Sequence, residues 1–95
     1  MSNKTYPRSQ AIVRANAILS ALETGEKTPR ELADGTGIPL SSMMGLLETM
    51  ADEKWLERTA GGFRLGSKLA VCWAKRVAHL KSARSGIDRE LSVLE

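Results

Sequence analysis

Apolar residues in the first half of the chain recur at helical spacing in three separate blocks. Ala11, Ala15, Ile18, Leu19 and Leu22 fall at i, i+4, i+7, i+8 and i+11, the buried face of a helix that Ser9 opens and Gly25 ends. Thr28-Pro29-Arg30-Glu31 then sets Thr at an N-cap, Pro at the first helical position and Glu at the third. That is a capping box, and it starts a second helix with Leu32 and Ala33 turned inward. Gly35 and Gly37 end this helix in a tight turn, because glycine tolerates the positive φ that such a turn needs. Ile38 follows as an apolar plug and Pro39 starts a third helix. There Met43, Leu46, Leu47 and Met50 form the core stripe, and Ser41, Ser42, Met44, Gly45, Glu48 and Thr49 take the opposite face.

After Lys54 the period changes from helical to alternating. Trp55 to Thr59 reads as a strand, Ala60-Gly61-Gly62 as a hairpin turn and Phe63-Arg64-Leu65 as the return strand. Leu56 and Leu65 are expected to point into the core, leaving Arg58 and Arg64 free to face out. A long helix begins at Ser67, with Leu69, Trp73, Val77 and Leu80 on one apolar line and Ala70, Ala74 and Ala78 beside it. Gly86 is predicted to interrupt it near Ser85; Ser85 and Asp88 then recap a short last helix whose stripe is Ile87, Leu91 and Leu94. The order is helix, helix, turn, helix, two-stranded wing. The fold class expected is therefore mainly α, a winged helix-turn-helix with a long C-terminal helix. Its parts are a flexible arm at residues 1–8, the winged domain at 9–66 and a C-terminal linker or dimerisation segment at 67–95.

Ninety-five residues hold a single small core. Tyr6, Trp55, Phe63 and Trp73 are the only aromatics, so aliphatic side chains must fill it. Cys72 is the sole cysteine, which rules out an internal disulfide and points to a reducing, cytoplasmic setting. The N-terminal residues carry no apolar signal segment, and no run reaches the ~18 apolar residues of a membrane span. Charge is uneven although the net value is only +3. From Asp34 to Glu53 there are four acids and no base; from Lys54 to Ser85 there are eight bases and one acid, Glu57. The positive field belongs to the second half.

The segments RANAILSAL, TPRELADGTGIPLSS, LLETM…WLER and FRLGSKLA, together spanning Ser9 to Ala70, resemble the DNA-binding module of the IclR family of bacterial transcription regulators. The resemblance implies a winged helix-turn-helix fold, Thr36 to Met50 as turn and recognition helix, and dimers on operator DNA. The chain differs from the family in three places. The family commonly continues into an effector-binding domain, so no small-molecule effector is expected for this chain. A basic residue and a His-Arg-like pair common on helix three are replaced by Leu40, Met44 and Gly45. Lys54 stands where a glycine commonly precedes the wing.

Two readings of helix three stay open. As a DNA reader, it offers Ser41 and Ser42 to phosphates near its N-terminus, Met44 to thymine methyls, Thr49 to base edges, and Gly45 for close approach to the groove. As a protein-docking surface, it makes the chain an adaptor whose Met44, Gly45 and Glu48 meet a partner. Arg58 and Arg64, flanked by Lys54 and Lys68, are the expected phosphate grip. Four contacts per protomer, doubled in a dimer, give a salt slope near −7 at about −0.9 per phosphate. Arg8 or Lys4 adds a minor-groove contact if the arm is ordered. The wide apolar line of the long helix predicts a homodimer through Trp73, Val77, Leu80, Ile87 and Leu91; the alternative is a lid on the winged domain, which Leu69 and Trp73 would serve. Few bulky aromatics and an acidic tail argue against a membrane partner. Chemistry is not expected either. His79 lies two turns from Cys72, too far for a nucleophile–base pair, and no residue set has metal- or cofactor-binding spacing.

Overall fold

The computed structural model describes residues 5–95; Lys4, proposed above for the arm, lies outside them. Helix α1 runs Gln10–Ala21 and tightens into a 3-10 turn at Leu22–Thr24. Ser9 caps it, its hydroxyl accepting from the Ile12 amide. Helix α2 is Pro29–Thr36, opened by the capping box in full: Thr28 Oγ1 accepts from Glu31 N, and Glu31 Oε1 accepts from Thr28 N. Gly35 stays within α2; the break falls at Gly37, whose φ of 77° lies in the left-handed region. Thr36 steadies the turn by donating to Leu32 O and accepting from Ile38 N.

Helix α3, Leu40–Asp52, buries Met43, Leu47, Met50 and Ala51. These pack with Ile18, Leu22, Leu32, Ile38, Leu56 and Phe63 in one core. Lys54 then takes φ 68°, the left-handed conformation that glycine adopts without steric cost. Its amide bonds Ala51 O and the Trp55 amide bonds Met50 O, the paired reverse bonds of a Schellman cap. Trp55 packs back on the core. The Lys54 carbonyl in turn accepts from the Lys68 amide, tying the wing's entrance to the helix that leaves it.

Strands β1 (Leu56–Thr59) and β2 (Gly62–Leu65) pair antiparallel, with Leu56 opposite Leu65 and Arg58 opposite Phe63. Lys27 adds a single antiparallel bridge to Phe63, so the α1–α2 connection closes on the wing. A side chain at Gly62 would strike the Lys27 carbonyl, which accounts for that glycine. Phe63 is buried, whereas Leu65, expected in the core, is 42% exposed. Leu65 lies on β2, and its cross-strand partner Leu56, on the strand that packs against α3, already fills the core there.

Helix α4 is unbroken from Ser67 to Leu94, through Gly86. The expected interruption does not occur: an internal glycine costs about 1 kcal/mol against alanine, less than leaving a whole turn of backbone bonds unmade. No α4 residue is buried, and Trp73 is 68% exposed. Trp73 therefore does not serve as a lid on the winged domain, whereas Leu69 is 40% exposed on a helix that touches β1.

Candidate nucleic-acid interface

The face of α3 turned away from the core is held by neighbours on both sides. Ser41, Met44, Gly45, Glu48, Thr49 and Asp52 are exposed on α3. Pro39 gives the helix no side-chain cap, so its first-turn amides point outward without a protein acceptor from that residue. A Cβ at Gly45 would meet nothing within 4 Å, so no contact inside the protein requires glycine there. Ser42 and Thr49 turn sideways. With Gly45 they line an open groove of about 880 Å³ shared with Ile12, Ala15 and Leu19 of α1. The Thr49 hydroxyl is already spent on Gly45 O at 2.9 Å. Ser41, Met44 and Gly45 thus remain on the outward N-terminal half of α3, while Ser42 and Thr49 flank it.

The wing arginines are not free, contrary to the expectation from the sequence. Arg58 Nη2 donates to Glu48 Oε2 at 2.5 Å and to Asp52 Oδ1 at 3.0 Å. Arg58 lies two residues after the buried Leu56, on the same strand face, so it turns onto α3 instead of outward. Its guanidinium is held even more firmly protonated than usual by the hydrogen bonds to Glu48 and Asp52. A guanidinium has two bidentate edges, Nε with Nη2 and Nη1 with Nη2. Both hydrogens of the shared Nη2 are committed here. Arg58 therefore grips a phosphate or a guanine bidentately only after releasing a carboxylate.

Arg64 differs in one useful respect. Its Nε donates to Glu57 Oε2 at 2.9 Å, and the Nη1/Nη2 edge has no partner among the described residues. The Glu57 carboxyl is pulled below its usual range by that hydrogen bond and by the arginine's charge. Lys54 and Lys68 are exposed and joined through backbone at the wing's base. The structure therefore brings Lys54, Arg64 and Lys68 to the wing, and couples Arg58 to α3. Sequence reasoning missed Asp52 as part of this constellation. Its signal is present: it follows Glu48 by four residues on one helix face.

The dimerisation residues lie elsewhere, on α4. Trp73, Leu80, Ile87 and Leu91 are all about half exposed or more, and Val77 is partly covered.

Three helices, a tight turn before α3 and a two-stranded wing define a winged helix-turn-helix of the kind that lays its third helix on a duplex. The sequence profile described as the IclR helix-turn-helix domain matches residues 11–60, more than half of the chain. The chain belongs to that family, and membership supports a DNA-binding transcription regulator. No curated protein and no solved structure matches it.

Proposed function

We propose that this protein is a double-stranded DNA-binding transcription regulator that works as a homodimer, reading a two-fold operator through shape and apolar contacts more than through hydrogen bonds. The observation that carries this reading is the N-terminal half of α3. It is exposed, uncapped and unobstructed at Gly45, beside a wing whose Arg64 keeps a bidentate edge unpaired among the described residues. Ser41 and the first-turn amides of α3 meet phosphate, Met44 meets thymine methyls, and Gly45 lets the helix backbone approach the groove floor. Lys54, Arg64 and Lys68 hold the backbone alongside, which fixes register without reading sequence. Ser42 and Thr49 support from the flank. Neither catalysis, a cofactor nor an effector site is part of this reading. The dimer closes through α4.

Gly45→Ala tests it. Alanine fits the open space and favours the helix by about 1 kcal/mol. The variant is expected to melt higher yet bind duplex DNA more weakly. Equal or tighter binding would remove Gly45 from the interface. Exposed Leu40 and Met44 favour the second reading, an adaptor that docks a protein through Met44, Gly45 and Glu48. In that case Met44→Glu abolishes docking, and loss of Arg58 or Arg64 is tolerated.

A further inference from the structure

We infer that α4 pairs with α4 of a second copy in antiparallel orientation, with the two-fold axis beside residue 82. The inference rests on the homodimer reading above and fixes what that reading leaves open, the direction and register of pairing.

The continuity of α4 through Gly86 changes its pattern. Trp73, Leu80, Ile87 and Leu94 fall seven residues apart. Ala70, Val77, Arg84 and Leu91 form a second seven-residue series, each three residues before a member of the first. These are the d and a positions of four heptads on one uninterrupted helix. The seam is unpartnered within the chain: Trp73, Leu80, Ile87, Leu91 and Leu94 are 48–82% exposed.

Charge decides the direction. In a parallel, in-register pair, Arg84 faces Arg84 of the second copy across the seam. Flanking positions five residues apart then set Arg76 against Lys81 and Glu90 against Glu95. All three are like-charge contacts. Charge is uneven along the helix: residues 67–80 carry Lys68, Lys75 and Arg76 with no acid, while both acids, Asp88 and Glu90, fall in residues 81–94 among Lys81, Arg84 and Arg89. Reversing one copy about residue 82 sets Val77 on Ile87, Trp73 on Leu91 and Arg84 on Leu80. The Arg84 stem can lie on leucine while its head reaches solvent and Asp88, its neighbour at 4.0 Å. Arg76 then meets Glu90 of the second copy, twice by symmetry. The unfavourable contacts gather at the axis, where Lys81 meets its own copy and the two Arg84 lie about 6 Å apart along the helices instead of directly opposed. At 1.5 Å per residue, the two winged domains hang about 45 Å apart along the helix axis, at opposite ends of the pair.

Cross-linking of the full chain with Cys72→Ser tests direction. An equimolar mixture of Val77→Cys and Ile87→Cys chains is expected to form the mixed disulfide, and Val77→Cys alone to form none, its two copies being about 15 Å apart axially. Self-linking of Val77→Cys would mean parallel pairing and overturn the inference, as would failure of the mixture to link. Arg76→Glu should weaken the dimer about tenfold in sedimentation equilibrium, with Glu90→Arg restoring it. Parallel pairing gives the opposite result, since the introduced glutamate would then attract Lys81. A chain that stays monomeric at tens of micromolar removes both this inference and the homodimer reading; a dimer with parallel links removes only the inference.

Discussion

Arg58 joins the wing to the recognition helix, and its two carboxylate partners make a measurable claim about DNA affinity. The perturbation is Glu48→Gln with Asp52→Asn, made both in the native chain and with Arg58→Ala. The three side chains are about half exposed or more, at 49%, 50% and 69%, so solvent screens each pair. Exposed pairs hold by a factor of roughly two to five. Removing both acids should therefore tighten binding to random duplex by about fivefold more when Arg58 is present than when it is alanine. The salt slope should also steepen by about 0.9 per protomer, as the released guanidinium neutralises one more phosphate. Fluorescence anisotropy at several salt concentrations reads both quantities. Loss of two negative charges attracts DNA in either background, so only the difference between backgrounds reports on Arg58. Equal tightening in both would refute the argument that the acids hold Arg58 off the phosphate.

Lys54→Gly should raise the melting midpoint. The left-handed backbone costs a non-glycine residue about 1–2 kcal/mol, and glycine's greater freedom when unfolded returns about 0.5–1 kcal/mol of that. A rise of a few degrees is expected in thermal denaturation, with Lys54→Ala giving none. Acid titration isolates the capping box. The Thr28 amide and hydroxyl bonds lower the Glu31 pKa in the folded state, so its contribution is present above the ordinary glutamate value and lost as pH falls through the lowered one. Glu31→Gln keeps the box but cannot titrate, and should flatten stability against pH in the range below about 4.3, the unperturbed glutamate value.

Much of the winged domain was legible because periodicity and local chemistry agreed. Ile18, Leu22, Leu32, Met43, Leu47 and Met50 follow from spacing alone, and Thr28 and Glu31 name their own helix start. Lys54, marked only as standing in a glycine position, proved to hold the glycine conformation. Errors came where a local rule met a tertiary fact. Gly86 costs the helix only about 1 kcal/mol against alanine, too little to end a run whose neighbours on both sides favour helix. Leu65 obeys strand alternation, but its partner Leu56, on the strand against α3, takes the core position at that end of the hairpin. Arg58 was expected outward although its two-residue spacing from Leu56 placed both on one face. The outward face of α3 was legible as a set of exposed residues. Its division between the duplex side and the α1 groove was not, since that depends on how α1 crosses α3.

On the function proposed above, this small basic domain grips duplex DNA through its wing while α3 enters the groove. Titration of the native chain with random-sequence duplex from low to physiological salt tests it most directly. Lys54, Arg64 and Lys68 of each protomer give six phosphate contacts in a dimer, and Arg58 stays sequestered. Binding is expected with a salt slope near −5, at about −0.9 per contact. Absence of binding at low salt, or affinity that does not change with salt, would contradict it.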